Sequence, residues 1–200
     1  MFRKVLLLAA INILVLTSSA QQADAVLSKF FAVQLEETVF MRWTISQGNS
    51  CDDTHIERSA DGISYERIGL IGGICGSPDQ SITYEYTDSL PLVNQISYYR
   101  LVLGQYGYSS PRVVEFIRYN EKGFLLAPNP FSDYARLAFD NPLKKKYQLV
   151  VSDMQGKIVA EMNTNGKEFI LYRNSLASGL FYFRILQSGK IEFDGKIVIL

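Results

Sequence analysis

The chain has 200 residues, and its 20 basic side chains are balanced by 20 acidic ones, so the formal net charge is zero. This length allows one or two small domains, and the balanced charge gives no reason to expect binding to a polyanion such as nucleic acid. Aromatic residues make up 12% of the chain and occur in short apolar runs broken by Gly, Asn and Asp. That composition is typical of strands and turns.

The first twenty residues have the pattern of a secretory signal peptide. A basic end and an apolar run cover residues 3–16, and the small residues Ser18 and Ala20 occupy the −3 and −1 positions of a cleavage site. A membrane anchor would need about 20 apolar residues, which is more than this run provides. We therefore expect residues 1–20 to be a cleaved signal peptide.

The predicted export bears on the chemical state of the two cysteines, Cys51 and Cys75. An even number of cysteines in a chain bound for an oxidising compartment favours a disulfide between them. A metal site would need a third and a fourth ligand, and a cysteine nucleophile would need a well-placed base. Both alternatives are weaker than the disulfide.

Residues 23–118 read as the first folded module. In the range 39–45, Val39, Met41, Trp43 and Ile45 alternate with more polar residues, as a half-buried strand requires. Seven short strands are expected in this module, which predicts an antiparallel β-sandwich. The most clearly delimited strands are 39–45, 54–59, 65–70, 81–87, 97–103 and 112–117.

Several segments of this module are similar to those of a known family. Met-Arg-Trp ending at Trp43, Ile-Glu-Arg-Ser followed by Asp-Gly at 56–62, Tyr-Glu-Tyr-Thr-Asp at 84–88 and Tyr-Tyr-Arg-Leu at 98–101 resemble fibronectin-type-III-like modules of bacterial surface proteins. The resemblance implies that Trp43 packs in the core and that the hydroxyl of Tyr99 caps a corner of the sandwich. Both are structural roles.

A second β pattern follows a short linker. The linker is expected at residues 119–123, and a smaller β-sandwich is expected over 124–200. Hairpin turns are predicted at 153–156, Asn165-Gly166 and Ser188-Gly189, because Gly and Asn accept positive φ angles at low cost. The predicted strands are 135–139, 147–152, 158–162, 168–172, 180–187 and 190–200.

Four short motifs distinguish this second module. They are Pro128, Asn129 and Pro130; Gly156 and Lys157; Gly179; and Lys196, Ile197, Val198 and Ile199. In this order they resemble the type A C-terminal sorting domain of type IX secretion cargo. One departure is Ala127, which stands where the family often has Tyr.

The resemblance implies a route and partners. Such proteins cross the inner membrane by their signal peptide, fold in the periplasm and pass an outer-membrane translocon. A surface sortase commonly removes the sorting domain and attaches the cargo to lipopolysaccharide, so the protein is expected to be secreted or on the outer cell surface. Because strand edges are readily read by other β proteins, the final strand is a reasonable recognition element.

No pattern in the chain indicates catalysis or a cofactor. His55 is the only histidine, and it is out of phase with the apolar Ile56, so we expect a solvent-facing strand residue. Asp52 and Asp53 lack the spaced ligand set of a Ca²⁺ loop. The basic run 144–146 is too short for a nucleic-acid footprint. No catalytic, cofactor-binding or metal-binding residue is predicted.

Two functions remain open at this point. The first is a non-enzymatic interaction or structural protein of the cell surface, which contacts a glycan or protein ligand through exposed loops such as 69–80 and 104–111. The alternative is an accessory carbohydrate-active or other hydrolytic surface protein with an active site that the sequence does not reveal.

Overall fold

The computed structural model of the protein describes residues 19–174 and 176–200. Over this part of the chain there are fourteen strands, one α-helix and one short 3-10 helix, so the predicted all-β class is confirmed. Two compact units divide between Phe116 and Ile117. The predicted signal peptide lies outside the described residues, except for the last two positions, which begin the helix α1 (Ser19–Val26).

The first unit is an antiparallel sandwich of two sheets. One sheet has the strand order β1-β2-β5 and the other has the order β4-β3-β6-β7. Seven strands divided in this way form a fibronectin-type-III-like sandwich. The strands are β1 (Leu27–Leu35), β2 (Thr38–Ile45), β3 (Asn49–Ser59), β4 (Glu66–Ser77), β5 (Ile82–Asp88), β6 (Gln95–Leu103) and β7 (Arg112–Phe116), and a 3-10 helix (Gly104–Tyr106) follows β6.

The core of this unit lies between the two sheets. The alternating residues Val39, Met41, Trp43 and Ile45 of β2 are fully buried, as their period of two requires. The indole ring of Trp43 stacks on the ring of Tyr84, with 5.8 Å between the ring centroids. Trp43 is therefore a core residue.

Tyr99 is also buried, and its hydroxyl is part of a polar cluster. It donates a hydrogen bond to Oδ2 of Asp88 (O···O 2.9 Å). The same carboxylate oxygen lies 2.8 Å from Nη1 of Arg58, while its other oxygen accepts the Leu90 backbone N–H at 3.0 Å. Burial, followed by the charge of Asp88, raises the pKa of Tyr99 far above its ordinary value. The hydroxyl therefore remains protonated and ties β6 to the end of β5.

The β3–β4 pair is longer than predicted. β3 begins five residues before the expected start at 54, and β4 continues past 70 through Gly72-Gly73. The expected break at these glycines, and the loop at 69–80, were therefore largely wrong. A register shift between Asp52 and Thr54 and the φ of +99° at Gly73 let the pairing continue.

The predicted disulfide is present at the far end of this pair. Cys51 and Cys75 are cross-strand partners with 5.0 Å between their Cα atoms. Both are buried at 2% exposure.

The second unit is another sandwich of three and four strands. One sheet has the order β12-β9-β8, and the other has the order β11-β10-β13-β14. Residues 119–123, which precede β8, form a turn in which Gly123 N–H donates to Asn120 O (2.9 Å). The strands are β8 (Phe124–Ala127), β9 (Tyr134–Phe139), β10 (Tyr147–Ser152), β11 (Ile158–Thr164), β12 (Glu168–Tyr172), β13 (Gly179–Gln187) and β14 (Lys190–Ile199).

Candidate functional site

The four motifs of the second unit, although distant in sequence, meet at one end of its four-stranded sheet. β10 ends at Ser152, which pairs with Tyr182 near the start of β13. Gly179, the first residue of β13, pairs with Ile199 at the end of β14. A parallel bridge joins Ile199 to Phe131. We call this region the motif end, which comprises residues 128–131, 153–157, 179–182 and 196–200.

The Pro-Asn-Pro-Phe segment covers the outer edge of β14. Asn129 Nδ2 donates to the Lys196 carbonyl oxygen (N···O 3.2 Å), and the Val198 N–H donates to Asn129 Oδ1 (2.8 Å). Phe131 N–H donates to the Val198 carbonyl (3.1 Å), and the Phe131 carbonyl accepts the Leu200 N–H (2.9 Å). The end of the final strand is thus paired on both sides.

The prolines of this segment border a shallow depression on the surface. Its volume is about 290 Å³. Phe131 is only 2% exposed and anchors the segment in the core. The lining residues are Pro128, Pro130, Phe131, Ser132, Asp133 and Tyr134.

Gly156 and Lys157 belong to a tight turn between β10 and β11. Oδ1 of Asp153 accepts the backbone N–H groups of Gln155 (3.0 Å) and Lys157 (2.9 Å). Gly156 has a φ of +82°, which an L-residue with a side chain seldom adopts. The glycine of this motif is explained by the turn, whereas the exposed side chain of Lys157 is not needed for it.

The residues of β13 and β14 at the motif end alternate between the core and the surface. Phe181, Ile197 and Ile199 are buried, as is expected for one face of a strand. Gly179 precedes them with a φ of +149°, in the region that favours glycine. The alternate residues lie on the outer face of the sheet, and they are Leu180, Tyr182, Lys196 and Val198.

The other residues considered from the sequence lie elsewhere. His55 is half-buried on β3, between its strand neighbours Leu70 and Val102. Asp53 Oδ1 accepts the Gly73 N–H (2.7 Å) and so stabilises the backbone of β4. Within the described residues, no group of three or more His, Cys, Asp or Glu side chains is arranged to hold a metal ion.

The basic run 144–146 lies in an exposed turn before β10. Asn141 holds this turn, since its Oδ1 accepts the Lys145 N–H (3.0 Å) and its Nδ2 donates to the Lys145 carbonyl (2.9 Å). The lysines are exposed. Among the residues placed by the structure, no helix is long and apolar enough to cross a bilayer.

A cation–aromatic group in the first unit had no signal in the sequence. The guanidinium carbon of Arg100 lies 3.7 Å from the ring centroid of Tyr65 and 4.6 Å from that of Tyr108. Its Nε is 2.8 Å from Oε2 of Glu57. The group holds the loop after β6 against the outer face of β6 and β3.

Comparison with known families identifies the second unit. Residues 126–200 match the family model described as a secretion system C-terminal sorting domain. The second unit is therefore matched over nearly its whole length by the type IX sorting-domain family. A sorting domain of this kind implies interaction with the type IX secretion machinery and export to the cell surface or the medium.

The solved structures to which this chain is similar match it only at low sequence identity and low TM-score. The FN1–FN3 domains of chicken CNTN1 are 11% identical, with a TM-score of 0.32 and coverage of 87% of this chain and 66% of that one. A two-domain fibronectin type III segment of chicken tenascin is 11% identical, with a TM-score of 0.33 and coverage of 86% and 98%. The BSP domain of a biofilm associated protein is 12% identical, with a TM-score of 0.29 and coverage of 87% and 29%. A search of curated proteins gave no match.

Proposed function

We propose that the protein is a non-enzymatic interaction or structural protein and that residues 124–200 are its export signal. The observation that carries the proposal is the meeting of all four motifs at one end of a unit that matches the sorting-domain family. The ten motif residues therefore lie in one region, whose exposed members a receptor can contact together while Ile197 and Ile199 pack in the core. They are Pro128, Asn129, Pro130, Gly156, Lys157, Gly179, Lys196, Ile197, Val198 and Ile199.

The proposed route begins with the signal peptide at residues 1–20 and leads through the periplasm to the outer-membrane translocon. After translocation, a sortase separates the sorting domain from the first module, and lipopolysaccharide is the proposed anchor for cargo that stays on the cell. These steps follow from the family resemblance of the second unit.

The first module, residues 23–118, is the proposed cargo. Its segment 104–111 carries the exposed Tyr108, which lies against Arg100, while Tyr106 packs on the core. Aromatic side chains on a loop fixed by a rigid sandwich are suited to contact a glycan or a protein. The proposed role of the module is to bind such a ligand without chemical change.

Export in a host with a type IX apparatus tests the proposal. We expect the tagged full-length chain to reach the surface or medium of the wild-type host and to be retained in a host that lacks the translocon. Deletion of residues 196–200 should abolish export, because the motif end loses the partners of Asn129 and Phe131.

The deletion must be compared with the intact chain for folding, by thermal unfolding of both purified proteins. Export of the intact chain that does not depend on the apparatus would contradict the proposal. So would equal export of a folded chain that lacks residues 196–200.

A further inference from the structure

The outer face of the four-stranded sheet carries an apolar and basic patch at the motif end. Ile158, Ser152, Tyr182 and Lys196 form one row across the four strands, since each pairs with the next. The adjacent row, towards the end of β14, is the cross-strand pair Leu180 and Val198. We call this surface the docking face, and its principal residues are Ile158, Leu180, Tyr182, Arg184, Lys196 and Val198.

The apolar part of the docking face is not required by the core. Ile158 is 53% exposed and Tyr182 is 37% exposed, while Leu180 and Val198 are half-buried. The buried neighbours on the same strands already supply the packing. Contiguous apolar side chains on the surface of a soluble domain commonly mark a site of interaction.

The charged side chains nearest Tyr182 on the docking face, Lys196 and Arg184, are basic, while Glu161 and Asp194 lie in the same cross-strand row as Arg184. Nζ of Lys196 lies 6.0 Å from the ring centroid of Tyr182. Arg184 pairs in register with Asp194, but the Asp194 carboxylate is already 3.4 Å from Nζ of Lys122. Within the described residues, neither Arg184 nor Lys196 has a carboxylate within 4 Å. Their charges are therefore available to an acidic partner.

Because the edge of β14 is covered, a partner cannot pair with the backbone of this strand at the motif end. Addition of a strand needs unpaired backbone groups at the edge of a sheet, and Asn129 and Phe131 already occupy those groups from Lys196 to Leu200. The outer face of the same strands remains accessible. A partner that binds this end of the domain therefore contacts the side chains of the docking face.

We propose that the export machinery binds the docking face through an acidic protein surface. Its carboxylates meet Lys196 and Arg184 around an apolar depression that receives the ring of Tyr182. This inference rests on the proposed function, because it names the surface by which the export machinery recognises the sorting domain. Complementary charge sets the orientation of such a complex, and the central aromatic ring supplies its anchor.

The test is export of full-length variants in a host with the type IX apparatus. Tyr182→Ala, Lys196→Glu and Arg184→Glu should each lower the exported fraction by about tenfold or more, as loss of an interface anchor does. Tyr182→Phe should retain export. The matched controls are Leu143→Ala and Ile191→Ala, since these apolar side chains are 74% and 54% exposed in the turn before β10 and at the start of β14, away from the motif end. Their export should match the wild type.

Thermal unfolding of each purified variant shows that the fold is retained. Normal export of folded Tyr182→Ala and Lys196→Glu proteins, with the intact chain still exported, would overturn the docking face and leave the proposed function standing. Loss of export in Leu143→Ala or Ile191→Ala to the same degree would also overturn it. If the intact chain were not exported through the apparatus, the proposed function itself would fail.

Two further measurements exclude other occupants of the face. Lys196-dependent binding of the purified chain to phosphatidylglycerol vesicles, but not to phosphatidylcholine vesicles, would replace the protein partner with a lipid surface. A Tyr182-dependent dimer in sedimentation would replace it with a second copy of the chain. We expect the purified chain to be monomeric and to show no binding to either kind of vesicle.

Discussion

Asn129 takes the place of a peptide group at the edge of the final strand. Its side-chain amide donates to the Lys196 carbonyl and accepts from the Val198 N–H, as a backbone amide of a neighbouring strand would. Prolines lie on both sides of it, and proline has no backbone N–H to donate. The side chain of Asn129 thus supplies hydrogen bonds that the adjoining backbone lacks.

Replacement of Asn129 by Ala should loosen the end of β14. The loss of two hydrogen bonds at an exposed site should lower the free energy of unfolding by about 1–2 kcal/mol and accelerate exchange of the Val198 amide proton. Asn129→Asp retains the acceptor for Val198 but loses the donor to Lys196, so its effect on Val198 should be smaller.

Amide hydrogen exchange measured by NMR tests this prediction. Asn163→Ala is the control, because Asn163 is an exposed asparagine of the same unit that lies outside the motif end. Unchanged protection of Val198 in the Asn129→Ala protein would show that the side chain does not hold the edge.

At the level of strands, the sequence predicted most elements but not how they meet. Alternation located β2 and the buried face of β13, because a period of two is visible in the chain. β1 has apolar residues at four consecutive positions from Phe30 to Val33 and therefore no clear alternation. Gly72-Gly73 resembled a break, but the pairing of Cys51 with Cys75 continues beyond it.

For the candidate site too, the sequence predicted the parts but not how they come together. Each of its motifs was recognisable in the sequence, and Gly156 was correctly placed in a turn. Their meeting depends on the register of β10, β13 and β14, which is set by contacts between distant residues. The covering of the β14 edge by Asn129 joins residues 67 and 69 positions apart, and no local pattern reports such a contact.

The Cys51–Cys75 disulfide should contribute substantially to the stability of the first unit. The two cysteines are 24 residues apart, and closure of a loop of this length reduces the entropy of the unfolded chain by an amount worth roughly 3 kcal/mol. The double variant Cys51→Ser, Cys75→Ser should show a corresponding loss in urea-induced unfolding.

Alkylation followed by intact-mass analysis provides the direct check on this bond. The native exported protein should react only after reduction. Two thiols that alkylate freely without a reductant would contradict the prediction.

At the scale of the whole molecule, each unit has its own buried core and its own pair of sheets. We therefore predict that the fragment 23–118 folds alone, with the disulfide as a covalent constraint, and that it has no catalytic activity. Its circular dichroism should show one cooperative transition in urea.

Loss of cooperativity in the fragment would contradict independent folding. A panel of glycosidase, esterase and peptidase substrates tests the second part of the prediction. Turnover by the full-length chain that disappears in a folded His55→Ala variant would instead favour the accessory hydrolase.

Because residues 129–131 bond to β14, the motif end can form only when the chain has been translated as far as β14. The ribosome makes Asn129 long before it makes Val198, so the bonds between them form only after the intervening strands have been synthesised and have folded. A polypeptide that stops before Lys196 contains three of the four motifs but cannot assemble them into one surface. If the export receptor contacts the assembled end, as we propose, a chain that stops before Lys196 should not be exported.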